Sequence, residues 1–351
     1  MMKILFVVLI NLCSIGAFAD NLKEMEKKMI DQDEQRPEVH ESIAIASTET
    51  FSGTWPFKAR YTDAPGFRMH YVDEGKGEDT LLLLHGEPTW GYLYRQQITS
   101  WKQYARVVAP DHMGFGKSAT PSSRTYWLQD HIDNVESLVL SLDLNNITLV
   151  MHDFGGPVGM GLAARHPDRI KSIVAVNSPT PFGQPDIGER LSANVADSPW
   201  FQWIVNAEST GILEEVLGHL DFNILSTLKL NGFVDNSIIN ETWISAYRAP
   251  FPTPAFALGA IGWAKGFAVG KHQFEVPTAA AKNEIMKKPA MAIWGVQDHT
   301  LHANHFLPLF EAIFPSGEVH LISEAGHYSP EDSPEEITNL VIEFLRGQKS
   351  A

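Results

Sequence analysis

The sequence predicts an α/β fold: a doubly wound, mostly parallel sheet with a helical cap inserted after the sixth strand. Three observations carry this. From Phe57 onward, short apolar runs alternate with stretches at helical spacing. The later runs are apolar at nearly every position, as strands covered on both faces are. Residues 178–288 interrupt the alternation, offering helical stretches such as "TGILEEVLGHL" and several prolines but no convincing strand.

In chain order, Lys3 precedes the apolar run "ILFVVLINL", and "AFA" stands before Asp20. This pattern predicts a secretory leader over residues 1–19, with export to a bacterial periplasm or the exterior. The run is short of the ~20 residues that span a bilayer, which disfavours a retained anchor. Leu12 is too bulky for a lipoprotein site at Cys13. Cys13 is the only cysteine, so a mature chain would hold no thiol and no disulfide. Residues 20–45 are charged and poor in bulky apolar side chains, which predicts a solvated linker. The strand-like runs follow: "FRMHYVDEG", "TLLLLHG", "ARVVAPD", "ITLVMHD" and "SIVAVNS", then "AMAIWG" and "EVHLIS" beyond the cap. Helical spacing recurs over residues 127–142 and 157–166. The expected core is therefore 46–177 with 289–351, and the cap 178–288. No internal repeat is evident. The net charge of −15 argues against a nucleic-acid partner, because phosphate binding needs a basic face.

Reacting groups in parallel sheets collect at the carboxyl ends of strands. Three residues meet that condition in the order nucleophile, acid, base: Asp153 after "TLVMH", Asp298 after "AMAIWGVQ", and His327 after "HLISEAG". The stretch "LVMHDFGGP" has the form of a nucleophile elbow, with Asp153 where a serine is more familiar. "HGEPTW" ends an earlier strand, so the backbone N–H groups of Glu87 and Phe154 can form an oxyanion hole. A carboxylate is ionised at neutral pH and needs no base to attack. It can displace a leaving group from a tetrahedral carbon and carry the product as an ester. His327, oriented by Asp298, then activates water to cleave that ester. Other signals are weaker. "GFGKS" lacks the earlier glycine of a phosphate loop, with Asp111 in its place. His299, His302 and His305 do not share one helix face, so neither a metal nor any other cofactor is expected. His112 and His152 are expected to be packed and hydrogen-bonded, without a catalytic role.

From about residue 50 to 346 the chain resembles the haloalkane dehalogenase branch of the α/β-hydrolases, related to epoxide hydrolases. The resemblance lies in "HGEPTWGYLYR", "APDHMGFGKS", "HDFGGP", "SAYRAPFPTPAF" and "EAGHYSPED". It implies cleavage of a carbon–halogen bond in a small apolar substrate, with water as co-substrate. One subfamily carries the acid after the seventh strand, matching Asp298; the alternative position after the sixth holds Asn177 and Ser178. Two departures stand out. Members usually have tryptophan directly after the nucleophile, whose indole holds the halide, where this chain has Phe154. Glu87 occupies a position that is asparagine in some members. The resemblance then directs the second halide donor to the cap, to Trp200 or Trp203, with Tyr247 also in the pocket. Alternatives that share the nucleophile are an epoxide hydrolase, with Tyr247 paired to His219 or His272 as ring-opening acids, and a β-lactone-cleaving enzyme. A lidded binding protein without turnover is the alternative of another class.

Overall fold

The computed structural model describes residues 42–350. The expected leader and most of the expected linker lie outside the described residues. Residues 42–45 correct the linker boundary: Ile45 is buried, and Ile43 and Ala44 pack against the core. Among the described residues, no helix is long and apolar enough to cross a membrane.

Eight strands form one sheet: β1 Arg60–Thr62, β2 Met69–Glu74, β3 Thr80–Leu84, β4 Arg106–Pro110, β5 Ile147–His152, β6 Ile170–Val176, β7 Ala290–Gly295 and β8 Glu318–Ile322. Their spatial order is β1-β2-β4-β3-β5-β6-β7-β8. β1 and β2 run antiparallel, while β4, β3, β5, β6, β7 and β8 are mutually parallel. The short β1, absent from the apolar runs, makes Ile170–Val176 the sixth strand. Leu82, Leu149, Val174 and Ile293 are completely buried, as are most of their strand neighbours. Burying each such side chain contributes about 1.5–3 kcal/mol, which is why these runs read as uninterrupted apolar sequence.

The chain order reverses at β3. From it the chain first goes to β4 on one side and later returns to β5 on the other, with Leu84 opposite Met151. The carboxyl ends of β3 and β5 are therefore neighbours at a topological switch point, where open sheets leave a crevice. Between β6 and β7 lie seven α-helices, running from Ile187–Asp197 to Ala279–Ile285, and no strand among the described residues.

Candidate active site

Asp153 follows β5 with φ of 51°, in the left-handed region that non-glycine residues rarely adopt. The tight turn is possible because glycines surround it. A Cβ on Gly86 would lie 2.3 Å from the Asp153 side chain, and one on Gly155 would lie 2.2 Å from the Leu84 carbonyl. The helix Gly155–Arg165 leaves immediately after the turn.

The two oxygens of Asp153 face different groups. Oδ1 accepts the Glu87 N–H at 2.9 Å, and the Phe154 N–H also bonds the carboxylate. Oδ2 faces His327 Nε2 at 3.6 Å. His327 Nδ1 donates to Asp298 Oδ2 at 2.9 Å, which leaves Nε2 free to act as a base on the Asp153 side. Asp298 is held in turn by the N–H groups of Thr300 and Leu301, both at 2.8 Å, and by the Asn177 amide at 2.8 Å. All three expected triad residues, from three separate strand ends, are thus in one buried cluster.

Burial pushes the Asp153 pKa up, against the lowering effect of His327 and the two backbone N–H groups. Burial alone would lower His327, but the charge and hydrogen bond of Asp298, with the charges of Asp153 and Asp332, outweigh it and raise the imidazole. Glu87 is pushed well above the usual carboxylate range by burial and then by Asp153, which favours its neutral form.

A cavity of about 300 Å³ opens onto Asp153 and Phe154. Ile187, Leu191 and Val195 line one wall at helical i, i+4 spacing, and Phe201, Phe267 and Phe274 contribute aromatic surface. The polar side chains on its wall are Asp153, Ser192 and His272. Both nitrogens of His272 are engaged: Nδ1 accepts from the Leu128 N–H at 3.0 Å and Nε2 donates to the Trp263 carbonyl at 2.8 Å.

The cap residues assigned to the pocket from sequence are elsewhere. Trp200 and Trp203 stack on each other, with ring centroids 5.2 Å apart, and neither lines the cavity. The intervening Phe201 does. Tyr247 is fully buried, with its hydroxyl on Glu331, a carboxylate also paired to Arg95. His219 is mostly exposed beside Asp221 and does not line the cavity. Consequently, among the described residues, Tyr247 forms no acid pair with His219 or His272 facing Asp153.

Of the lesser histidines, four form hydrogen bonds, while His302 Nε2 is buried without a hydrogen-bond partner among the described residues. The His112 N–H donates to His85, and His152 donates to the His327 carbonyl. His299 bonds the Leu230 carbonyl and His305 pairs with Asp197. In "GFGKS", Lys117 donates to the Ser47 and Glu49 carbonyls. Two residues of the site escaped the sequence reading. Asn177 was noted only as the vacant alternative acid position, yet its amide grips Asp298. Asp332 bonds backbone groups far away in sequence, for which no local pattern exists.

A family profile for the alpha/beta hydrolase fold matches residues 79–334. The chain is 32% identical over 297 residues to a cis-3-alkyl-4-alkyloxetan-2-one decarboxylase of Shewanella oneidensis, covering 83% of this chain and 89% of the relative. It is 33% identical over 298 residues to a haloalkane dehalogenase of Psychrobacter cryohalolentis, covering 79% and 87%. Among solved structures, a mutant epoxide hydrolase from Bacillus megaterium is similar with a TM-score of 0.67 at 24% identity, covering 82% of this chain and all (100%) of that one. A likeness at that identity speaks for the fold alone. The sheet, the order of the three strand-end residues and these similarities agree: the chain belongs to the α/β-hydrolase fold family, in its haloalkane dehalogenase-like branch.

Proposed function

We propose that the protein is a hydrolase that opens a small apolar substrate through a covalent alkyl ester on Asp153. The observation that carries this is the division of labour between the two oxygens of one carboxylate. Oδ1 sits on the Glu87 N–H, while Oδ2 is the oxygen facing His327. If Oδ2 attacks a tetrahedral carbon, Oδ1 becomes the ester carbonyl and is already in the oxyanion hole. Water activated at His327 Nε2 then attacks the ester carbon, and the charge that develops on Oδ1 is met by backbone N–H groups.

The leaving group that suits this cavity best is the carboxylate of a strained β-lactone. A departing halide needs N–H donors, but the Phe154 side chain has none and the stacked cap tryptophans do not reach the cavity. When a β-lactone opens at its alkyl carbon, the carboxylate stays on the same chain and spreads its charge over two oxygens. The apolar walls fit alkyl substituents. Similarity to the oxetanone decarboxylase supports this reading. Two exits from the ester are then open. Water cleaves it to a 3-hydroxy acid, or the carboxylate departs as CO2 while the bond to Asp153 breaks, giving an alkene. The base assembled at His327 favours water. Carbon–halogen cleavage is the second reading, favoured by the dehalogenase relative at 33% identity.

The test pairs both substrates with one variant. A cis-dialkyl β-lactone and a bromoalkane are incubated side by side with the protein, and products and bromide are measured. His327→Ala should then accumulate one adduct by intact mass, located on the Asp153 peptide. Asp153→Ala should show none. An absent adduct in His327→Ala, with slow turnover persisting, would refute the covalent mechanism. Continued alkene formation would replace hydrolysis by decarboxylation.

A further inference from the structure

We propose that the cap turn 230–235, gripped by Asp332 and Thr300, is the positioning element of the catalytic pair His327–Asp298. This rests on the assignment of His327 as the base. The turn touches both loops that carry the pair. On the acid side, the Thr300 hydroxyl donates to the Asn231 carbonyl at 2.8 Å, and His299 bonds the Leu230 carbonyl at 3.1 Å. On the base side, the His327 N–H donates to the Gly232 carbonyl at 3.0 Å, and the Asn231 amide donates to the Tyr328 hydroxyl at 3.0 Å.

Asp332 closes the arrangement by dividing its carboxylate. One oxygen accepts the N–H groups of Val234 and Asp235 at 3.0 and 2.8 Å, and the other accepts the Gly326 N–H at 2.9 Å. The residue therefore ties the turn to the backbone directly preceding His327. The approach is too close for a side chain at Gly326, where a Cβ would lie 2.1 Å from the Gly232 carbonyl. Asp332 joins the cap turn to the segment that carries the base. Asp332 is a positioning residue, since it reaches the reacting atoms only through His327.

The charged and titratable neighbours are few. Asp298, Asp153 and Asp332 act on His327, which also packs against the rings of His152 and Tyr328, and Glu331 and Lys229 lie near Asp332. Asp332 is thus one of three carboxylates that keep the imidazole protonated to higher pH.

The experiment compares Asp332→Asn and Thr300→Val with the wild type in the full-length protein. Asparagine keeps one acceptor oxygen and no charge, so it can serve only one side. Expected for Asp332→Asn is a fall in kcat of about tenfold or more, the scale of small misplacements of a catalytic group. KM should stay within about twofold, because ligand binding uses other walls. By histidine NMR of the free protein, the His327 titration should move to lower pH. A lowered melting temperature with unchanged titration and unchanged kcat would mean that Asp332 is only structural, and would overturn the proposal. Should Asp332→Asn not fold, Thr300→Val decides: it removes one neutral hydrogen bond, for which kcat should fall about threefold, and wild-type kcat would refute the clamp. Failure of the covalent mechanism is separately visible as an absent adduct in His327→Ala, while the His327 titration in Asp332→Asn still reports on the clamp.

Discussion

Phe154→Trp tests what the site lacks. Phe154 borders the cavity beside Asp153, its ring 4.5 Å from Trp263 and 5.2 Å from His272 between centroids. An indole there would present an N–H to a leaving halide. A hydrogen bond to a charged group in a buried site contributes about 1.5–3 kcal/mol. Against it stands the disturbed aromatic packing, worth about 0.5–1.5 kcal/mol. The cavity of about 300 Å³ gives the larger ring space to turn into. The balance favours the transition state by about 1.4 kcal/mol, or roughly tenfold in rate. Bromide release from bromohexane by wild type and variant, with circular dichroism as the folding control, measures it directly. β-lactone hydrolysis should not rise with it, because its leaving group does not need that donor. Unchanged or slower bromide release from a folded variant would refute the argument that a missing donor limits halide chemistry.

Two further outcomes follow from the cavity and from the buried histidines. Gly188 lines the cavity and a Cβ there would meet nothing within 4 Å, so Gly188→Phe should project into it and cut turnover of long-chain substrates about tenfold while sparing short ones; equal loss for both lengths would show that the wall does not select chain length. Burial lowers the pKa of His131 well below its usual value, and the charge effects of His272 and His85 lower it further. Below about pH 6.5 the unfolded chain takes up a proton there that the fold resists, so stability falls as pH drops. His131→Phe should flatten the decline in unfolding free energy between pH 6 and 5 by about 1.4 kcal/mol per pH unit; an unaltered slope by urea titration would mean that this imidazole is charged in the fold.

The sheet and the buried cluster of Asp153, Asp298 and His327 were legible because burial and topology leave marks in sequence. Strands covered on both faces can hold little but apolar residues, and parallel strands deliver their carboxyl ends to one edge. Asp153, Asp298 and His327 each follow such a run, so their order alone announced the cluster. β1 left no mark, being three residues long with none buried. The cap was legible only as helix. Within Pro199–Thr210, Trp200 and Trp203 fall three residues apart on one face and stack together, whereas Phe201 turns to the cavity. Spacing could show which residues share a face but not which face meets the substrate. The wall of Ile187, Leu191 and Val195 has the spacing of an apolar stripe, yet the charged residues around it in sequence make it look like an ordinary surface helix. The positions of residues 42–45 were missed because three apolar residues follow a long charged stretch, and composition averages conceal them.

In the covalent mechanism proposed above, the protonation demands of the two chemical steps pull in opposite directions, and the ester itself reconciles them. Attack needs Asp153 ionised, although burial pushes its pKa up; a protonated His327 beside it counters that. Ester cleavage needs His327 neutral, and the charge of Asp153 is one of the influences that hold its proton on. Forming the ester abolishes that charge. The imidazole's pKa must then fall, so the base is released at the step that uses it, while Asp298 still orients Nδ1. The sign is definite. With Asp153 free, His327 stays protonated to a higher pH; with Asp153 esterified, it is neutral from a lower pH. The acidic limb of ester hydrolysis, followed in a single turnover by quenching and intact mass, should therefore lie below the His327 titration measured by NMR in the free protein. Coincident values would mean that Asp153 does not tune the base, and a limb at higher pH would contradict the assignment of His327 as the group that activates water.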